Sequence, residues 1–210
     1  MAQLSKDLYR FFIEEPSVDH VTLADVLKLA GERTFGFLFV LLALPSALPV
    51  PAAGYSVPFG IVMFLLATQL ISGATTPWLP PRIMNHSIPL SRVQGFVKSG
   101  IPWMQRIERF SKPRLTPVCT SRTGRAVIGL AIALMAISMM IPIPGTNTLP
   151  AIGIFITGFG LLDDDGAISL AGLVVCLIGA SLTLSILYAL VMGGTSLYDW
   201  LKNGFKSLFK

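Results

Sequence analysis

The sequence predicts an all-α polytopic membrane protein with two repeated, proline-broken helical hairpins, one long C-terminal span and interfacial amphipathic helices. Three observations carry that reading. Hydrophobic residues make up 53% of the 210 residues, and the mean hydropathy is +0.70. Charged residues make up only 13%, against about 25% in a soluble domain. An apolar stretch interrupted by Pro-X-Pro also occurs twice, 93 residues apart.

The N-terminal region, residues 1–35, is amphipathic. Leu4, Leu8, Phe11 and Phe12 share a helical face, and Pro16 stops that helix. Thr22 is suited to cap a second helix, with Asp25 three residues on and Val21 and Val26 spaced as a hydrophobic staple. The first hairpin follows at 36–72. The apolar run from Phe37 meets Pro49 and Pro51, and a second run starts at Ile61. The second hairpin, 126–162, repeats this pattern. There Pro142 and Pro144 break the chain, and Asn147 and Pro150 follow before the run from Ile154. Proline has no amide donor and clashes with the preceding turn, so Pro-X-Pro ends a helix. A span needs about 20 apolar residues, and most runs in the hairpins are shorter. They are therefore either re-entrant, with irregular backbone covered inside the protein, or hairpins with tight surface turns. Broken segments at matching positions of two halves mark the binding site in transporter-like folds.

Between the hairpins lies a basic segment, 73–125. It holds nine of the 16 Lys and Arg residues and one acid, Glu108. This bias puts the segment on the cytoplasmic side and offers a surface to anionic lipid head groups. From Leu90 to Phe110 apolar residues recur every three or four positions, as in helices lying in the interface. Residues 167–192 form the only run expected to span by itself, and 195–210 form an amphipathic basic tail. The charge rule keeps the N-terminal region and the middle segment inside. It conflicts with the tail if both hairpins return to that side.

Two groups of residues are candidate sites. The first is the loop or substrate site at the breaks: Pro49, Pro51, Tyr55, Pro142, Pro144, Asn147 and Pro150. Asn147 carries two donors and an acceptor and is suited to bridge buried backbone between the breaks. The second is a set of interfacial charges: Glu32, Arg33, Arg82, Arg114, Asp163 and Asp165. Asp163-Asp164-Asp165-Gly166 reads most simply as an exposed turn, and Glu32-Arg33 as a solvated pair. Gln69 must be hydrogen-bonded if buried and is expected to hold the neighbouring hairpin. Trp78 followed by Arg82 reads as an interfacial anchor. Cys119 and Cys176 suggest no disulfide, and His20 and His86 have no partner at ligand spacing, so neither a metal nor a cofactor is expected. No nucleophile elbow, phosphate loop or dinucleotide fingerprint is present. Nucleic acid is a poor partner for a basic stretch bracketed by membrane segments. Lys6, Asp7, Arg10, Glu14 and Glu15 precede any apolar run, so no cleavable signal peptide is expected.

Several of these strings together resemble the bacterial ExoD family, which takes its description from exopolysaccharide synthesis. They are Gly31-Glu32-Arg33 with Gly36, Leu44-Pro45, Pro49-Val50-Pro51, Gln69, Gly73, Pro77-Trp78-Leu79-Pro80 and Arg82. Pro113-Arg114, Pro142-Ile143-Pro144, Asn147, Pro150-Ala151 and Asp165-Gly166 continue the match. Gly54 stands one place later than the Pro-Gly often found in that family. The resemblance implies an integral inner-membrane protein linked to exopolysaccharide production, with no catalytic residues to carry over. The expected function is a non-enzymatic membrane component of exopolysaccharide synthesis or export. Two alternatives stay open: a small transporter or permease with its site at the two breaks, and a membrane enzyme acting on a lipid-linked precursor. The expected partners are membrane lipids and a polysaccharide or its lipid-linked precursor.

Overall fold

The computed structural model of the chain describes residues 9–14, 20–22, 33–47, 56–80, 87–90, 94, 112–141 and 147–208. Six helices make up nearly all of it: α1 (Thr34–Ala47), α2 (Ser56–Ile71), α3 (Pro117–Thr120), α4 (Arg122–Met140), α5 (Thr148–Leu162) and α6 (Gly166–Leu208). Their limits follow the prolines. α1 stops at Ala47 and α4 at Met140, each two residues before a Pro-X-Pro. Pro58, Pro117 and Pro150 sit in the first turns of α2, α3 and α5. The missing amide has no intrahelical partner there, so it costs nothing. Pro45 is tolerated inside α1, where α1 runs on for two more residues.

The helices pair across the hairpins more than within them. α1 packs chiefly on α5, and α2 on α4, while contact between α1 and α2 is slight. Glycines set the register. A methyl group on Gly36, near the start of α1, would lie 2.5 Å from the Leu162 amide nitrogen and 2.8 Å from the Gly158 carbonyl, near the end of α5. One on Gly129, near the start of α4, would lie 3.0 Å from the Ala67 carbonyl and 3.3 Å from the Ile71 amide nitrogen, near the end of α2. Both pairs are therefore antiparallel. The starts of α1 and α4 share one end of the bundle with the ends of α2 and α5. The two proline-flanked ends of each hairpin gather at the other end.

α6 begins at the first end and runs antiparallel to α5. Ser169 sits against Gly160, Gly172 against Thr157, Cys176 against Gly153, and Gly179 against Pro150. The sequence separates a span from a basic tail, but the helix is continuous through Gly193 and Gly194 to Leu208. Arg122–Met140 is a second helix long and apolar enough to cross a membrane, besides the stretch Gly166–Ala189 of α6. The sequence reading expects only the latter to do so.

The core contains Phe39, Met63, Leu66, Leu70, Ile128, Ile132, Met135, Met139, Ile154, Phe159 and Leu162, all fully buried. The outward faces are apolar as well. Ile61 and Leu65 on α2, Val127, Leu130, Leu134 and Ile137 on α4, and Leu170, Val174, Ile178, Leu184 and Tyr188 on α6 are all exposed. Soluble helices turn charge outward; these three carry helical stripes of aliphatic side chains there.

One element departs from the all-α expectation. His20–Thr22 pairs antiparallel with Ser87–Pro89, with His20 opposite Pro89 and Thr22 opposite Ser87. Val and Thr favour extended backbone, and Ile88 precedes a proline that disfavours helix. Thr22 thus closes a strand, and the helix expected after it lies outside the described residues. The expected N-terminal helix is represented by a π-helical turn, Arg10–Glu14, which ends before Pro16. Of the expected interfacial helices at 90–110, only Leu90 and Gln94 are described, both helical.

Candidate functional site

Polar groups gather at both ends of the bundle, and they are of different kinds. The end where α6 starts is charged, and among the described residues it has no buried side-chain polar atom without a partner. Asp165 is 1% exposed. Its Oδ1 accepts from the Ala167 and Ile168 amides at 3.0 and 3.3 Å, and its Oδ2 accepts from the Lys112 amide at 3.0 Å. The residue is the N-cap of α6, with a third bond that ties down the segment before α3. The Gly166 amide donates to the Arg114 carbonyl at 2.7 Å and reinforces that tie. The exposed acidic turn expected from the sequence therefore holds at Asp163 and Asp164, which are partly exposed, and fails at Asp165. Asp165 is buried because its carboxylate replaces the water that the helix start would otherwise bind.

Arg33 Nη2 lies 3.8 Å from Asp164 Oδ2, with both side chains more than a third exposed. Arg125 stands four residues before Gly129 as Arg33 stands three before Gly36. It donates to the Ala74 carbonyl at 2.9 Å and covers the Phe35 ring at 5.7 Å. Each arginine thus reaches the loop just beyond the second helix of the other hairpin. Gln69 binds the Trp78 backbone twice, accepting from its amide at 2.6 Å and donating to its carbonyl at 3.0 Å. That closes the loop after α2 and presents the Trp78 ring outward, 70% exposed.

Cys119, on α3, is buried at the same end. Its Sγ lies 3.3 Å from Ser169 Oγ and 3.5 Å from the Gly160 carbonyl. Burial pushes its thiol above the ordinary range, and the Ser169 bond offsets only part of that rise. Among the described residues no three His, Cys, Asp or Glu side chains are grouped to hold a metal ion.

The opposite end is neutral and incompletely bonded. Ser46, in the last turn of α1, is 1% exposed, and its Oγ has no hydrogen-bond partner among the described residues. Asn147 precedes α5 as its N-cap, but its side chain makes no capping bond, and its buried Oδ1 is likewise without a partner. Because α1 and α5 are antiparallel, these two residues lie at the same end of one helix pair. The expectation that Asn147 satisfies groups across both breaks is not met at its oxygen. Pro150 is buried one turn further into α5.

Of the loop-site residues predicted from sequence, Asn147 and Pro150 come together here; Pro49, Pro51, Tyr55, Pro142 and Pro144 lie outside the described residues. Of the charge-site residues, Arg33 is brought to the Asp163–Asp165 turn by its side chain. Arg114 is brought there by its carbonyl; Glu32 and Arg82 lie outside the described residues. Ser46 carries no signal in the sequence. It reads as one more small residue in an apolar run, and only the α1–α5 register reveals it.

A bundle of apolar-faced helical hairpins, two of whose helices are long enough to cross a membrane, is the class that this geometry defines. The comparisons then narrow it. Residues 4–185 match the family described as exopolysaccharide synthesis, ExoD. The chain is 48% identical over 209 residues to an uncharacterized protein of Synechocystis sp., covering 100% of this chain and 99% of that one. It is 30% identical over 155 residues to protein ExoD of Rhizobium meliloti, covering 72% of this chain and 64% of that protein. No solved structure matches it. The chain belongs to the ExoD family, and the family ties it to exopolysaccharide synthesis.

Proposed function

We propose that this chain is an integral inner-membrane protein that supports exopolysaccharide synthesis or export without catalysis, as a small permease. On this reading its two hairpins are re-entrant and end near mid-depth. One observation carries it: Gly179 of α6 meets Pro150. The apolar run of α6 extends from Ala167 to Met192, so Gly179 is its midpoint. It stands about 20 Å along the axis from either end. The charged groups cluster around the start of α6, as they would at a membrane surface. α1, α2 and α5 have 14, 16 and 15 residues, which is roughly 21–24 Å, less than the ~30 Å of hydrocarbon; α4, with 19 residues, is about 28 Å and is long enough to cross.

The reciprocal packing of α1 on α5 and α2 on α4, with Gly36 and Gly129 in matching roles, supports reading the hairpins as a repeat. The same register supports a topology. Both hairpins go in from the cytoplasmic side and return to it, and α6 carries the tail to the far side. This topology leaves the charge conflict at the tail, where charge has least force. Lys112, Arg114 and Arg122 are exposed at the cytoplasmic end and are available to anionic head groups. The capping role of Asp165 argues against the enzyme reading, since that carboxylate is already engaged.

Asn147→Leu tests the proposal. Removing a buried oxygen that has no partner should leave stability unchanged or slightly raised, by about 1 kcal/mol at most. Exopolysaccharide output from cells carrying Asn147→Leu should nonetheless fall sharply, with the protein still present in the membrane. Undiminished output would overturn the permease reading.

A further inference from the structure

We infer that Ser46 and Asn147 form a binding site for a small, neutral, hydroxyl-bearing solute; the inference rests on the permease reading and names what passes. Three observations converge. The first is the pair of buried acceptors without partners, Ser46 Oγ and Asn147 Oδ1. A buried polar atom left unbonded costs about 1–3 kcal/mol, so a pair of them at one end of a helix pair is suited to an external ligand. Asn147 Oδ1 only accepts, so that ligand must donate. Ser46 Oγ can accept or donate, which suits a hydroxyl group.

The second observation is the absence of charge at that depth. No Asp, Glu, Lys, Arg or His occurs from Thr34 to Ser72, from Ala126 to Leu162, or from Gly166 to Tyr198. An ion crossing there would have no counter-charge, and an ion-coupled carrier would have no carboxylate or imidazole to take up a proton. Those are the groups that mark ion pathways inside membranes.

The third is the arrangement of helix ends. The positive N-terminus of α5 lies beside the negative C-terminus of α1. The N-terminus of α2 lies beside the C-terminus of α4, since Gly60 packs on Ala136 and Met140. A lone helix N-terminus attracts anions; here each is offset by its neighbour. The site is therefore electrically balanced and rich in acceptors. A small polyol fits this chemistry, and a sugar can use it one hydroxyl at a time.

Glycerol is the probe. The purified full chain is reconstituted in vesicles, and solute uptake is followed by light scattering after a glycerol gradient. Potassium conductance is measured on the same vesicles. Glycerol should enter faster than into protein-free vesicles. Ser46→Ala, which removes a single oxygen, and Asn147→Leu should each slow protein-dependent uptake by about fivefold to tenfold, the value of one hydrogen bond. Potassium conductance should stay at the protein-free level. A glycerol rate equal to that of protein-free vesicles would overturn the inference. So would variants that match the wild type, because the two atoms would then merely hold buried water. Potassium conductance that rises with the protein would also overturn it.

A second measurement avoids reliance on variant transport. With Cys119 and Cys176 replaced by Ala, Asn147→Cys should react with N-ethylmaleimide, and glycerol should slow that reaction. No slowing at glycerol concentrations that saturate uptake would count against the site. Failure of this inference is separable from failure of the permease reading. The depth profile of α4, described below, tests re-entrance whatever solute the site takes.

Discussion

Asp165→Ala should be among the most damaging substitutions at the charged end, and its cost can be built up from the bonds lost. The carboxylate caps α6 by accepting from the Ala167 and Ile168 amides. Loss of an N-cap costs about 1 kcal/mol, within a range of roughly 0.5–2. It also accepts from the Lys112 amide, 53 residues away in sequence. Lys112 is exposed, so water takes over part of that bond, and leaving the amide adds about 1 kcal/mol, the low end for an unsatisfied donor. The total is about 2 kcal/mol, within roughly 1.5–3. Asp165→Asn should cost roughly half as much, because the amide oxygen still caps α6 while its NH2 group faces the Lys112 donor. Thermal or denaturant unfolding in detergent micelles, followed by circular dichroism, measures both. Asp165→Ala within about 0.5 kcal/mol of wild type would refute the argument, since that is the range of an ordinary surface change.

Two further outcomes follow from the packing. Gly36→Ala should destabilise by about 1–3 kcal/mol, because the new methyl meets the Leu162 backbone, which cannot turn aside. Gly129→Ala should cost less, since its nearest obstacle is the Ile71 side chain at 2.8 Å; equal unfolding midpoints for wild type and Gly36→Ala would contradict the α1–α5 register. Cys119, whose pKa is raised chiefly by burial, should carry less thiolate at pH 8 than an ordinary thiol. Iodoacetamide should therefore label it slowly in the folded protein and quickly after unfolding, and rapid labelling of the native state would count against its burial.

The helices of the hairpins were legible because proline punctuation and apolar runs are local signals. α1 and α4 stop just before Pro49 and Pro142, as those prolines require, whereas Gln69, expected on the neighbouring hairpin, instead binds the Trp78 backbone nine residues on. What was illegible is long-range. Nothing local tells that α1 prefers α5 to α2, and without that register Ser46 is indistinguishable from any small residue in an apolar run. Asp165 looked like one of three exposed acids because its burial depends on the Lys112 amide. The strand at His20–Thr22 was hidden for the same reason, since its partner is Ser87–Pro89 and each is too short to show a period. The sequence places the end of the span near Met192, but two glycines cost about 1 kcal/mol each in a helix, too little to break α6.

The central claim is that the hairpins end inside the membrane, and the outward face of α4 tests it most directly. Val127, Leu130, Leu134 and Ile137 are all exposed and lie progressively further from the charged end. Nitroxide labels at these four positions, in the reconstituted full chain, can be ranked by depth from their relative accessibility to oxygen and to a water-soluble nickel complex. A re-entrant α4 should show depth rising steadily from Val127 to Ile137, with Ile137 as deep as a label at Ile178 on α6. An α4 that crosses the membrane would instead be deepest near Leu130 and Leu134, with Ile137 shallow again, and that profile would contradict the account.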